Sequence, residues 1–395
     1  MSALRLSPEN AAAQAEWAAF ARNAVNEIRQ CDRERRFPRA LVMDMAARGM
    51  LGLCLPHRLG GLGLDYIALG LAAEALETAD ASLREVLAVH LGLHALSIYQ
   101  WGTPEQTARW LPALARGEVM GAFALNEKDA GSDVASLACS ATRSGDTYVL
   151  NGEKTWITLA ATANRLLVFA RTSAGIGGIS AFVIDRTAAG IVATPREGKL
   201  GDWAGDTGDL KFSKVRIPVR DRLGEEGEGF KIAMSALDNG RYVVAAGALG
   251  CMKTCRDEAV AYAQSRVAFG KPIGEQQLVQ QLLANMQQRI DAGELLVRNI
   301  GALKNSGRRN TRECSGAKWF CSEGAVQTAK ETVQVLGAAG YGDGYNAARH
   351  LRNSMAALIY QGTSQIHTLI QADYLLGKRI DRPLRCELPA FKPGE

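Results

Sequence analysis

From residue 7 to about residue 118, apolar positions recur at helical intervals in short stretches broken by segments such as LPHRLGGLGLD, with turn signals at Pro56 and Gly60-Gly61. This pattern predicts helices. From Gly121 to about Pro218 the period changes: TYVL meets an Asn151-Gly152 turn signal, and LLVFA, ISAFVI and LKFSKVRI follow as short apolar runs set apart by turn residues. They predict a compact β domain. After LGEEGEGF the helical period returns, placing Val279, Leu282, Leu283, Met286 and Ile290 on one face of a long helix. Pro272, Asn305-Ser306-Gly307 and the Gly340 to Gly344 stretch divide this region into about four long helices, enough for a bundle. The expected architecture is α+β and multi-domain. An N-terminal all-helical domain covers residues 1–118, a middle β-barrel-like domain 119–225 and a C-terminal four-helix bundle 226–395.

Composition narrows the function classes. With 395 residues, 47% hydrophobic and 22% charged, the chain is long enough for two or three globular domains, and disorder is not expected. A net charge of +5 favours an anionic ligand, but the basic residues are scattered rather than in runs, which argues against nucleic acid and for an anionic small molecule. The eight cysteines form no Cys-x-x-Cys pair and no zinc spacing with the five histidines. They are expected as reduced core thiols, with no metal site. No apolar run reaches the roughly 18 residues of a membrane span, and MSALRLSPENAAAQAEW carries acids too early for a signal or transit peptide. A soluble, cytoplasmic protein is the expectation.

The order of the segments, and the stretches ALNEKDAGSDVAS (Ala124 to Ser136), NGEKTWIT, GEEGEGFKIAM, LDNGR, SRVAFGKPI, QVLGAAGYG and YQGTSQIH, resemble the acyl-CoA dehydrogenase family of FAD enzymes over nearly the whole chain. Asn126 stands where that family usually has threonine. A flavin requires backbone that can approach closely and donors for phosphate. Gly131 offers an unobstructed N–H and Ser132 a hydroxyl. Trp156 and Thr158 offer a ring to cover the isoalloxazine and a hydroxyl for its edge; taken alone, they read more simply as a buried Trp beside a strand Thr. The resemblance places Phe123, Leu125, Asn126, Ile157, Thr363 and Gln365 at the same cofactor. It implies that Arg266, Phe269, Gln277, Gln334, Val335, Gly337 and Ala338 grip the adenosine and pyrophosphate of FAD from a neighbouring subunit, in a homotetramer of two dimers. An electron-transfer flavoprotein is the implied electron acceptor.

For the acyl-CoA substrate the resemblance implies contacts from Ser132, Asp238, Arg241, Tyr360 and Gly362, with Arg241 on phosphate or pantetheine. The plainer reading of Asp238 and Arg241 is a surface ion pair at i, i+3. Catalysis in the family polarises the thioester carbonyl with a backbone N–H and removes the Cα proton with a carboxylate. That base position is Gln361, whose amide cannot accept a proton at neutral pH. The alternative base position, before the arginine of LDNGR in the isovaleryl- and long-chain branches, is Gly240, and Asp238 points off the required helix face. Three explanations stand: an isosteric replacement that traps substrate, ranked first because the rest of the motif is intact; a reaction that needs no base; or another base. Arg84, in the apolar stretch ETADASLREVLAVH, aligns with the arginine by which glutaryl-CoA dehydrogenases hold the distal carboxylate. The bland alternative pairs it with Glu85 or Glu77 and lets it snorkel to water. The expectation is desaturation of a short acyl-CoA with an anionic tail. A non-oxidative lyase resembling 3-sulfinopropionyl-CoA desulfinases comes second. A flavin monooxygenase and a non-catalytic CoA- or FAD-binding protein follow.

Overall fold

The N-terminal helices begin where their caps dictate. In the computed structural model, which describes residues 6–394, Ser7 accepts from the N–H of Asn10 and Pro8 opens α1 (Pro8–Glu34). α2 (Arg39–Ala47) follows, and Asp65 and Asp80 cap α3 (Tyr66–Ala79) and α4 (Ala81–Leu87) in the same way. Residues Ala88–Ala95 then widen into a π-helix before α5 (Leu96–Trp101), and a Thr103–Gln106 capping box starts α6 (Pro104–Ala115).

The middle region is an eight-stranded sheet of β1 (Gly121–Ala124), β2 (Ser140–Ser144), β3 (Thr147–Thr158), β4 (Arg165–Arg171), β5 (Ile179–Asp185), β6 (Ile191–Pro195), β7 (Thr207–Pro218) and β8 (Arg222–Leu223). The order is β6-β7-β3-β2-β4-β5-β8, with β1 joined in parallel to β4. Asn151-Gly152, read above as a turn, lies inside β3 at a shift in the β3–β7 register. The β2–β3 reversal is instead at Gly145-Asp146. Gly152 has φ +137° and a Cβ there would meet the Cys139 backbone at 2.8 Å, so the glycine serves a close strand approach rather than a reversal.

The helical C-terminal region contains α7 (Gly229–Ser265), a small hairpin of β9 (Val267–Ala268) and β10 (Lys271–Pro272), α8 (Gln277–Asn305), α9 (Thr311–Leu336), α10 (Ala338–Tyr341), α11 (Ala347–Ala357) and α12 (Ser364–Leu375). Three helices are long. The fourth expected one is split in two, because the chain leaves the helix at YQGT and Thr363 caps a new start. Met286 and Ile290 of α8 are buried as their spacing predicts. α7 runs through the centre, and glycines let its neighbours approach closely: a Cβ at Gly247 would lie 2.2 Å from Glu77 Oε2. Seven cysteines are buried and Cys386 is half-buried, all as free thiols. Among the described residues no helix is long and apolar enough to cross a membrane, and no cluster of side chains could hold a metal ion.

Candidate active site

Gln361 occupies the turn between α11 and α12 with φ +53°, followed by Gly362 at +102°. A non-glycine residue persists in this left-handed region only where its surroundings fix it. Here two basic side chains hold consecutive carbonyls: Arg241 Nε donates to Gln361 O at 3.0 Å, and Lys318 Nζ donates to Gly362 O at 2.7 Å. Below the turn, Ser315 Oγ and His367 Nδ1 stand 2.9 Å apart, and Ser364 Oγ donates to Glu323 at 2.6 Å. Burial pushes Lys318 down to about 7, with Arg241 adding to the effect, and burial pushes His367 down to about 3. Gln361 Oε1 is buried without a hydrogen-bond partner. It rests on α7, where a Cβ at Gly240 would come within 2.3 Å of it. The two positions at which the sequence resemblance would put a base, 361 and 240, are therefore in contact, and neither holds a carboxylate.

Asp238 and Arg241 do pair at i, i+3, at 3.2 Å, but the pair is buried rather than on the surface. Asp238 Oδ2 also accepts from Thr311 Oγ1 at 2.5 Å. Arg241 holds the turn through Nε on the Gln361 carbonyl while its Nη1 pairs with Asp238.

Arg84 is only 1% exposed, so it does not snorkel. Its Nε donates to Glu77 Oε2 at 2.6 Å and its Nη2 to Tyr360 Oη at 2.5 Å, and among the described residues no hydrogen bond engages Nη1. The partner is Glu77 rather than Glu85, across a contact that Gly247 makes room for. Burial opposes the charge, but Glu77, Tyr360 and Glu85 hold the guanidinium protonated. Burial, then the charge of Glu85, pushes Asp202 well above the usual carboxylate range. Through Tyr360, Arg84 connects directly to the Gln361 turn.

On the sheet side, the Phe123–Ser132 loop and the TWIT stretch meet. Thr155 N donates to Asn126 O at 2.9 Å, and Lys154 Nζ, fully buried, donates to Leu125 O at 2.9 Å and to Glu127 at 2.7 Å. Trp156 sits at an irregularity in the β3–β7 register with φ +57° and is 54% exposed, the reverse of the buried Trp of the plainer reading. Its N–H donates to Asp209 at 3.2 Å, and Arg196, itself paired with Asp209 at 2.6 Å, lies 4.4 Å from its ring centroid. Ile157 is buried and Thr158 half-buried beside it. Gly131 and Ser132 are exposed, with open space around Gly131. Phe123 is buried against Phe169.

The remaining expected residues lie elsewhere. Arg266, Phe269 and Gln277 are exposed at the far end of α7, and a rise of 1.5 Å per residue puts Arg266 about 37 Å from Arg241. Phe269 is 95% exposed at φ +53°. Gln334, Gly337 and Ala338 are exposed at the end of α9, whereas Val335 is buried. Thr363 Oγ1 accepts the Ile366 N–H as a helix cap, and Gln365 is exposed.

Sequence reading missed Lys318, Ser315, Lys154, Arg196 and Asp209. A lysine is ordinarily a surface residue. Only the position of Lys154 inside NGEKTWIT set it apart from any other.

Three family descriptions match in succession: the acyl-CoA dehydrogenase N-terminal domain over residues 7–118, the middle domain over 122–215 and the C-terminal domain over 227–376. The short-chain specific acyl-CoA dehydrogenase of Bos taurus mitochondria is 39% identical over 349 residues, 88% of this chain and 85% of that protein. Butyryl-CoA dehydrogenase of Megasphaera elsdenii superposes with a TM-score of 0.93 at 33% identity, covering 94% of this chain and 99% of that one. A glutaryl-coenzyme A dehydrogenase solved with glutaryl-CoA gives 0.93 at 34% identity, with 95% and 97% covered. The chain belongs to the acyl-CoA dehydrogenase family of FAD-dependent oxidoreductases.

Proposed function

We propose that this protein binds a short acyl-CoA with an anionic tail beside FAD and that, with an amide at the base position, it desaturates simple saturated substrates very slowly. The observation that carries this reading is Gln361 itself: its backbone is fixed by Arg241 and its Oε1 is buried without a partner against Gly240. FAD, when bound, supplies the acceptor for the hydride leaving the substrate's Cβ. The exposed Trp156, the open backbone at Gly131 and the exposed Phe269 suit a flat ring system, a phosphate and an adenosine in turn. Phe123, Leu125, Asn126, Ser132, Ile157, Thr158, Thr363 and Gln365 are assigned to the same cofactor by family position. Since Arg266, Phe269, Gln277, Gln334, Gly337 and Ala338 lie exposed and remote from Gln361, we assign them to the FAD of a neighbouring subunit in a homotetramer. An electron-transfer flavoprotein is the proposed acceptor.

The residues around the turn divide the work. The Gln361 N–H polarises the thioester carbonyl, which increases the acidity of the Cα proton. Arg241 and Lys318 hold that N–H in place through the carbonyls of residues 361 and 362. Arg84, with Nη1 in no hydrogen bond among the described residues, receives the distal anion, while Glu77 and Tyr360 fix the guanidinium plane. The Gln361 amide takes no proton, so loss from Cα has no acceptor there.

Gln361→Glu should restore anaerobic flavin bleaching by the matching acyl-CoA by about 10²- to 10⁴-fold with little change in affinity, read by stopped-flow absorbance. Fast bleaching by the unaltered protein would show that another base works. If Gln361→Glu stays silent with straight, branched and dicarboxylic acyl-CoAs, a lyase of the 3-sulfinopropionyl-CoA desulfinase type is favoured. That reading rests on the absence of a carboxylate at both 361 and 240, since its C–S cleavage involves no net oxidation.

A further inference from the structure

Beside the Arg84–Glu77 pair stand two more buried acids. Glu85 and Asp202 are 8% and 5% exposed, and among the described residues neither carboxyl group is in a hydrogen bond or an ion pair. Asp202 Oδ1 is buried without a partner. Both side chains reach one place. Gly205 N donates to Asp202 O at 3.0 Å in a turn, and a Cβ on Gly205 would lie 3.4 Å from Glu85 Oε2, so the Glu85 side chain ends against that turn. The charges of Glu85 and Arg84 act on Asp202, and those of Arg84, Glu85 and Asp202 act on Tyr360. The four residues form a single cluster at the tail end of the Gln361 turn.

The backbone around Asp202 is held in place. Asp202 has φ +52°, its N–H donates to Asn353 Oδ1 at 2.8 Å, and Lys199 Nζ donates to the carbonyls of Asp202 and Gly205 at 2.6 and 3.0 Å. Lys199 is thereby bonded to backbone, Arg349 to Asp80, and Arg84 Nε to Glu77. No cation among the described residues pairs with Glu85 or Asp202. Buried carboxyl groups without partners are costly, and these two stand beside an arginine whose Nη1 is in no hydrogen bond among the described residues. Arg84 and Glu77 offset each other, which leaves the cluster with an excess of acid. A tail carrying a carboxylate alone would bring a further anion next to Glu85. An ammonium beside that carboxylate would meet Glu85 instead.

We propose that the acyl tail ends in a zwitterion, with a carboxylate received by Arg84 and an adjacent ammonium received by Glu85 and Asp202, as at the end of an α-amino acid. The inference rests on the acyl-CoA reading above and narrows its anionic tail to an amino-acid end. The ammonium N–H groups supply donors to carboxyl oxygens that have none within the described residues.

The FAD-loaded protein is mixed with three thioesters of one length: 5-aminoadipyl-CoA, adipyl-CoA, which lacks the ammonium, and 5-aminovaleryl-CoA, which lacks the carboxylate. A second set, 4-aminoglutaryl-, glutaryl- and 4-aminobutyryl-CoA, is one carbon shorter. Rapid mixing at about pH 6 keeps the amine protonated, so that it does not close onto the thioester, and flavin absorbance reads binding. In at least one set the zwitterion should bind the unaltered protein about tenfold or more tightly than both of its partners, the scale of a charge-assisted hydrogen bond. Glu85→Gln/Asp202→Asn should erase the advantage over the carboxylate-only thioester, which should itself bind this variant more tightly because two repelling carboxyl groups are gone. If the double variant does not fold, Asp202→Asn alone repeats the comparison and should reduce the advantage. An advantage retained in the folded variants puts the ammonium elsewhere and overturns the assignment. Zwitterion binding no tighter than that of the carboxylate-only thioester overturns the acidic subsite and leaves the thioester reading intact. Equal binding of the ammonium-only thioester would make the tail a simple cation and also overturn it. If no thioester perturbs the flavin, the underlying reading falls and this inference with it.

Discussion

A glutamine has nearly the volume of a glutamate but no atom that takes up a proton at neutral pH, so position 361 keeps the shape of a base site without its chemistry. Arg84 is the second decisive side chain. Arg84→Ala alone would strand buried Glu77 at a cost of about 3–5 kcal/mol, so binding is better tested in Arg84→Met/Glu77→Gln, which removes both charges. Glutaryl-CoA should bind the unaltered protein more tightly than butyryl-CoA, and the double variant should lose that preference by about 2–4 kcal/mol in calorimetric titration. Equal affinities before substitution would leave Arg84 a structural residue. That Arg84 is a lone cation in an apolar helix was legible in the sequence, because a charge there has to find a partner. Which glutamate it finds was not, since Glu77 reaches it through a gap left by Gly247 on a helix more than 160 positions away.

At the scale of elements, the π-helix Ala88–Ala95 carries two histidines that tie the N-terminal helices to the sheet. His90 Nδ1 accepts from Gly121 N at 3.0 Å while Nε2 bonds Leu114 O at 3.0 Å, and His94 Nδ1 bonds Ala122 O at 2.9 Å. That pattern fixes His90 as the neutral Nε2–H form, for a proton on Nδ1 would face the Gly121 N–H. Burial pushes His90 down to about 4 and His94 to about 3, against about 6.5 in the unfolded chain. Between those values the unfolded state binds more protons, so the stability present above about pH 6.5 is lost as pH falls, by about 1.4 kcal/mol per unit for each histidine. The thermal midpoint should therefore drop between pH 6.5 and 4, and His90→Gln/His94→Gln should flatten that part of the profile. An unchanged slope in the double variant would assign the acid lability to carboxylates instead. The sequence has no signal for the π-helix, whose wider hydrogen bonding depends on packing against β1 and α7.

For the whole molecule, the exposed apolar side chains Phe269 and Leu278, at 95% and 78%, lie beside Arg266 and Gln277. Isolated exposed residues are normal, but this group coincides with the positions assigned to a neighbour's cofactor. Arg266→Ala/Phe269→Ala should lower bound FAD well below one per subunit on gel filtration and shift the assembly toward smaller species, while the thermal unfolding of the remaining core stays cooperative. A folded tetramer with full flavin content in this variant would remove the shared site.

The sequence by itself determined the order of helical, sheet and helical regions, because burial imposes periods of 3.6 and 2 on apolar positions whatever the details of packing. It also determined the family, through stretches such as ALNEKDAGSDVAS and YQGTSQIH, and it exposed the anomaly at Gln361. Tertiary structure alone decided that Asn151-Gly152 lies within a strand, where the glycine admits Cys139. It alone set Gln361 against Gly240 and turned Arg241 inward to hold the turn. The reason is physical: local preferences and spacing are written along the chain, whereas close approach, burial of a charge and the choice of its partner depend on residues that only folding brings together.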